Sequence, residues 1–313
     1  MTKVAVTSRS FSRHEVLCGE LQERYPDTRF NDEGLSLSGR GLIEFLQGCN
    51  KAIIGLEVFD HQTFAALPEL KVIGKYGVGL DMIDLDAMRA GGVKLGWAGG
   101  VNRRSVSELV ISFAIGLLRH VPAAQAEVRA GTWQQLIGRE LTGKTFGIIG
   151  CGHVGKDVVK LLKPFGCKLL ANDIKSFPDF YAAHNVRAVD IATLLEQSDV
   201  VSIHTPLDSS TRNILSAERL QLMRKDAVLI NAARGGLVDE VALKSMLQEG
   251  RLGAAGFDVF HIEPPEDPEL LELPNFLATP HIGGSSEEAI LAMGRAAIVG
   301  LDDFGDPLEV AQS

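Results

Sequence analysis

Three residues in the second half of the chain carry side chains fit for acid–base and anion chemistry: Arg234 in NAARGG, Glu263 in HIEPP and His281 in TPHIGG. Histidine exchanges a proton near neutrality. A carboxylate beside it orients the ring and stabilises the imidazolium. Arginine binds both oxygens of a carboxylate ligand through its planar fork. Each of the three stands just beyond a short apolar run of strand character: Asp226 to Ile230, Gly253 to Val259 and Phe276 to Ala278. In an open parallel sheet the carboxyl ends of the strands face one crevice, so the three would meet there. Taken singly, each has a plainer reading. Arg234 suits a surface ion pair, Glu263 a solvated loop carboxylate and His281 a hydrogen-bonded structural histidine.

What they would act beside is set by Lys144 to Asp173. The apolar run Phe146 to Ile149 leads into Gly150, Gly152 and Gly155 at G-x-G-x-x-G spacing. Val154, Val158, Leu161 and Leu162 then share one helical face, and Pro164 and Gly166 stop the helix. A second apolar run, Lys168 to Ala171, reaches Asn172 and Asp173. In strand–turn–helix–strand context this spacing predicts a dinucleotide site; a tight turn in a nucleotide-free domain is the alternative. The glycines allow the backbone to approach a pyrophosphate, and the helix N-terminus offers unpaired N–H groups to it. Asp173 falls 23 positions after Gly150 (173 − 150), near the roughly 20 at which a ribose-binding carboxylate is expected. It would repel a 2′-phosphate, so NAD is the expected cofactor. Beside a nicotinamide, the histidine, carboxylate and arginine together point to hydride exchange on a 2-hydroxy or 2-oxo acid.

The other histidines fit less well. His204 ends a strand before Thr205-Pro206 and could line the nucleotide site. His261 is close to Glu263 in sequence, but the two would point apart in an extended stretch. A zinc site drawn from His204, His261, His281 and Asp258 has no ligand spacing behind it, so no metal is expected.

The 313 residues that must hold these groups suit two domains of roughly 150 residues each. The 45% hydrophobic and 23% charged content is that of a soluble globular chain. A net charge of −9 argues against nucleic acid as the main partner. Cys18, Cys49, Cys151 and Cys167 have no paired spacing and read as free thiols in a reducing compartment. The start, MTKVAVTSRS, lacks the apolar centre of a secretion signal, and Leu109 to Leu118 is too short to span a bilayer. The expectation is a cytoplasmic protein without a membrane partner.

From Met1 to about Gly99, strands at Lys3 to Thr7, Ala52 to Gly55, Lys71 to Gly74 and Lys94 to Trp97 alternate with helices at Arg13 to Arg24, Gly41 to Gln47 and Phe59 to Leu67. Such alternation predicts a parallel sheet covered on both faces. The glycines of KYGVGLD could present amides to an anion, or form a plain turn. Gly99-Gly100 reads as a hinge. Ser105 to about Val128 reads as a long amphipathic helix turned or kinked at Pro122, with an apolar face too broad for a thin stripe, buried in the protein or against a partner. Trp133 to Leu141 is irregular. Further strand–helix units run on to Gly284, and a last helix from Ser285 to about Asp303 is long enough to return to the first domain.

The stretches KYGVGLDMID, VNRRSVSELV, GIIGCGHVG with Asp173, HTPL, NAARGGLVDE, GFDVFHIEPP and TPHIGG together resemble the D-isomer-specific 2-hydroxyacid dehydrogenases, in their phosphoglycerate-dehydrogenase-like branch. The resemblance implies two doubly wound parallel-sheet domains of the α/β class. A Rossmann dinucleotide-binding domain, 100–283, would be inserted in a flavodoxin-like substrate domain, 1–99 and 284–313. It implies His281 as acid/base, with Arg234 and Glu263 in the substrate site. It implies cofactor contacts from His153, Val154, Thr205, Ala232, Ala233, Arg234, Asp258 and His281, besides Gly150, Gly152, Gly155 and Asp173. Substrate contacts would come from Val78, Gly79 and Asn102. A helix and arm at about 105–141 would build a homodimer.

Two departures stand out. His261 replaces a commonly acidic residue, and the chain stops soon after its last helix, without the regulatory extension of longer phosphoglycerate dehydrogenases. The second weighs against phosphoglycerate itself; Lys75, Arg103 and Arg104 could hold a phosphate or equally be solvated surface charges. Two rival functions share the fold by analogy: oxidation of a small inorganic or one-carbon anion, and an NADH-sensing, corepressor-like scaffold for a peptide.

Overall fold

A computed structural model of the protein describes residues 2–311. It divides into two compact units, Met1–Asn102 with Ser285–Ser313, and Arg103–Gly284.

The first unit holds β1 (Val4–Val6), β2 (Thr28–Phe30), β3 (Lys51–Ile54), β4 (Val72–Lys75) and β5 (Lys94–Gly96), all parallel, in the order β2-β1-β3-β4-β5. That is the flavodoxin-like order, with its switch point between β1 and β3. β1 and β4 are buried throughout, as strands covered on both faces must be. The Glu287–Gly300 helix packs on β4 and β5. Only glycine permits that approach. A Cβ on Gly96 would lie 1.9 Å from the carbonyl oxygen of Gly300, and one on Gly74 would lie 2.3 Å from that of Ala297.

The second unit holds β6 (Thr145–Ile149), β7 (Lys168–Asn172), β8 (Val186–Ala188), β9 (Val200–Ile203), β10 (Val228–Asn231), β11 (Ala254–Phe257) and β12 (Phe276–Ala278). They form a parallel seven-stranded sheet in the order β12-β11-β10-β9-β6-β7-β8. This is the doubly wound dinucleotide-binding order with one strand added, and it reverses between β6 and β9. The α/β class and both parallel sheets expected from the sequence are present.

The expected long helix is two helices. Arg103–Leu118 buries Val106, Val110, Phe113, Leu117 and Leu118 against the His153–Leu162 helix, β10 and β11. His120 then takes a left-handed conformation (φ 55°), and Val121–Arg129 leaves at 63° with no buried residue. The break precedes Pro122 because proline is tolerated in a helix's first turn, where its missing N–H is unpaired anyway. The sequence reading passed over β2 and β8, which are short strands at sheet edges, and the seven-residue Pro178–His184 helix. No single helix among the described residues is long and apolar enough to cross a membrane.

Candidate functional site

His281 sits beyond β12 with a left-handed backbone (φ 54°), a conformation that a non-glycine residue keeps only when its surroundings hold it. Asp258, just after β11, does the holding. Its buried carboxylate accepts hydrogen bonds from Thr279 Oγ1 (2.5 Å), the Ile282 amide (2.7 Å) and the Gly283 amide (2.7 Å). The His281 amide donates to the Asp258 carbonyl at 2.9 Å. A Cβ on Gly283 would come within 2.9 Å of the same carboxylate.

Glu263 and His281 are brought together. Glu263 Oε2 lies 2.8 Å from His281 Nδ1, and their side chains are 38% and 41% exposed. The other Glu263 oxygen accepts from the Phe260 amide at 3.0 Å. The carboxylate thus fixes its own turn and the imidazole at once, and leaves Nε2 as the ring's outward-facing proton site.

Arg234 stands in the turn after β10. Buried Asn231 shapes that turn: its Oδ1 accepts from the Ala233 amide (3.1 Å) and its Nδ2 donates to the Arg234 carbonyl (2.8 Å). Arg234 Nη1 donates to the Ala233 carbonyl at 2.7 Å. A Cβ on Gly235 would lie 1.8 Å from the Phe260 carbonyl oxygen, so the arginine's turn rests directly on the glutamate's turn. Sequence reasoning missed Asn231. The available signal was an asparagine closing an apolar strand ahead of A-A-R-G-G, a place where its side chain can organise the turn.

The glycine loop lies at the switch point. Gly150 has φ 90°, and a Cβ there would be 2.8 Å from the His204 carbonyl carbon. A Cβ on Gly155 would strike the Gly150 carbonyl oxygen at 2.2 Å, so that glycine seats the helix on β6. The His153–Leu162 helix starts at Gly152 with no side-chain cap, and a Cβ on Gly152 would meet nothing within 4 Å. Thr205 Oγ1 is buried without a hydrogen-bond partner. Uncapped amides, open space at Gly152 and an unsatisfied hydroxyl across the loop fit a dinucleotide whose phosphates cap the helix. Asp173 flanks the loop; its oxygens accept from the Cys151 amide (2.6 Å) and the Lys175 amide (2.7 Å). Ala232 is buried and Ala233 half-buried after β10, while His153 is exposed and Val154 half-buried at the helix start. Burial pushes His204 down to about 3, so its ring is neutral, with Nε2 2.5 Å from Ser202 Oγ. Burial likewise pushes the Cys151 thiol up to about 11, which keeps it unreactive.

Val78, Gly79 and Asn102 belong to the first unit. Val78 and Gly79 follow β4, with the Val78 carbonyl accepting from Trp97 Nε1 at 3.1 Å. Asn102 is buried and its Oδ1 has no partner. Lys75 is buried too; its Nζ donates to the carbonyls of Gly55 (2.8 Å) and Tyr76 (3.0 Å). In the second unit Arg104 pairs with buried Asp157 at 3.0 Å. Lys75 is therefore no solvated surface charge, whereas the Arg104 side chain stays 54% exposed beside its buried partner. Among the described residues no group of three or more His, Cys, Asp or Glu is placed to hold a metal ion.

Residues 111–283 match the family model described as D-isomer specific 2-hydroxyacid dehydrogenase, NAD binding domain. The D-3-phosphoglycerate dehydrogenase of Methanocaldococcus jannaschii is 42% identical over 229 residues, which is 72% of this chain and 44% of that protein. The chain thus spans less than half of that relative. The glycerate dehydrogenase of Methylorubrum extorquens is 35% identical over 285 residues, 87% of this chain and 88% of that one. A crystal structure of D-lactate dehydrogenase with NAD+ from Lactobacillus jensenii superposes with a TM-score of 0.79 at 27% identity, covering 99% of this chain and 97% of that one.

Proposed function

Because the chain belongs to the D-isomer-specific 2-hydroxyacid dehydrogenases, we propose that it is an NAD-dependent oxidoreductase acting on a small D-2-hydroxy acid and its 2-oxo partner. The observation that carries this reading is the 2.8 Å contact between His281 Nδ1 and Glu263 Oε2 at the carboxyl end of the second sheet. Gly150, Gly152 and Gly155 would hold the dinucleotide, whose nicotinamide would supply or accept the hydride. In reduction His281 gives its Nε2 proton to the substrate oxygen; in oxidation it takes that proton back. Glu263 holds the Nδ1–H and balances the imidazolium charge. Arg234 binds the substrate carboxylate through its fork. Val78, Gly79 and Asn102 keep the substrate-binding role implied by the family resemblance.

Small 2-oxo acids set the test. NADH consumption is measured with hydroxypyruvate, glyoxylate and phosphohydroxypyruvate. Turnover of at least one is expected, and none with any 2-oxo acid would overturn the reading.

The cofactor holders are Gly150, Gly152 and Gly155, with Thr205, Ala232 and Ala233 lining the site and Asp173 on the ribose. Two amides fix the Asp173 carboxylate beside the loop, so a 2′-phosphate meets its charge. NADH is expected to give higher kcat/KM than NADPH; equal values with the two cofactors would sink the assignment.

The four free cysteines suit a reducing, cytoplasmic setting. A second copy of the chain is the proposed partner of the segment after Leu118. Trp133 is 87% exposed there and Ile137 95%, more apolar surface than a free arm normally carries. Sedimentation is expected to show a dimer that Trp133→Lys with Ile137→Lys weakens. A wild-type monomer at micromolar concentration would remove the proposal.

A further inference from the structure

We propose that Glu240 is a positioning residue for the Glu263–His281 pair. The inference rests on the proposed function above. The turn Phe260 to Glu263 belongs to no helix or strand, and His261, Ile262 and Glu263 are exposed. Its anchor on one side is Phe260, whose ring packs on Phe257 and Phe276. Beyond that anchor, two hydrogen bonds reach the turn's amides, and both end on carboxylates. The Phe260 amide donates to Glu263 Oε1 at 3.0 Å, and the His261 amide donates to Glu240 Oε1 at 2.9 Å.

Glu240 is the better-founded of the two acceptors. It is the first residue of the Glu240–Gln248 helix, which Asp239 caps and which buries Leu243, Met246 and Leu247. A rigid element therefore reaches out to an exposed turn. Burial pushes the Glu240 carboxyl above the ordinary glutamate range, so holding it there costs free energy that a solvated side chain would not spend. The bond chain runs from the helix through the His261 amide to the Glu263 turn, and from Glu263 Oε2 to His281 Nδ1 at 2.8 Å. Without the first link, Glu263 keeps its charge but loses the fixed position from which it aligns the imidazole. At position 261 the backbone amide is the attachment point.

Reach and charge separate in two variants that both suit a helix N-terminus. Glu240→Asp keeps the charge but is one methylene too short; Glu240→Gln keeps an oxygen at the same reach. In Glu240→Asp, kcat is expected to fall about 10–100-fold, the scale of a small misplacement of a reacting group, with KM for NADH unchanged. Glu240→Gln is expected to keep most of the activity. In a Glu263→Gln background, Glu240→Asp should add little, because the two act through one another. Hydrogen exchange of the His261 amide should be faster in Glu240→Asp and native-like in Glu240→Gln. Wild-type kcat in Glu240→Asp, equal damage in the two variants, or full additivity with Glu263→Gln would overturn the proposal. Lack of turnover by the wild-type protein would fail the proposed function alone, and the exchange measurement would still decide the clamp.

Discussion

His281→Ala lowers turnover in both directions by roughly 10²–10⁴, the range for loss of one general acid/base. Reduction needs the protonated ring as donor and oxidation the neutral ring as acceptor, so both directions depend on the same residue. Glu263→Gln keeps the shape of its 2.8 Å contact with Nδ1 but removes the charge that balances the imidazolium. It should lower turnover in both directions, by less than His281→Ala does. Wild-type turnover in Glu263→Gln, with chemistry shown to be rate-limiting, would break the pairing of these two residues.

Arg234→Ala should lower kcat/KM for 2-oxo acids by about 2–3 kcal/mol of transition-state stabilisation. This is the lower part of the range for breaking a charge pair, since the side chain is only half-buried. NADH affinity should largely survive, because the amides at the start of the His153–Leu162 helix lie on another strand end. Arg234→Lys should not restore full activity: an ammonium is a point charge and cannot match both carboxylate oxygens. Steady-state kinetics with a fluorescence titration of NADH separates the two effects. Wild-type kinetics in either variant would remove Arg234 from the site.

The amino-acid sequence by itself determined the parts that depend on local pattern. G-x-G-x-x-G between an apolar run and a helical pattern specifies a strand–turn–helix, because only glycine fits at Gly150 and Gly155. The alternation of apolar runs with helices specifies covered parallel sheets. The residue types Arg234, Glu263 and His281 at three strand ends specify acid–base chemistry next to an anion. Short edge elements such as β2 and β8 escaped, since a strand with one neighbour needs no continuous apolar run.

Tertiary structure decided which polar group answers which. Asp258 lies in sequence within the run Gly253 to Val259, and the resemblance gives it only a cofactor contact, yet its carboxylate is buried and occupied by the Thr279 hydroxyl and the amides of Ile282 and Gly283. Asn231 and Glu240 look like a turn residue and a helix start, yet they hold the turns that carry Arg234 and Glu263. Periodicity encodes which side chains leave water, because burial follows the helical and strand repeats. It does not encode a hydrogen bond between residues far apart along the chain. Such a bond depends on where two strand ends stop relative to one another, and only the folded sheet fixes that.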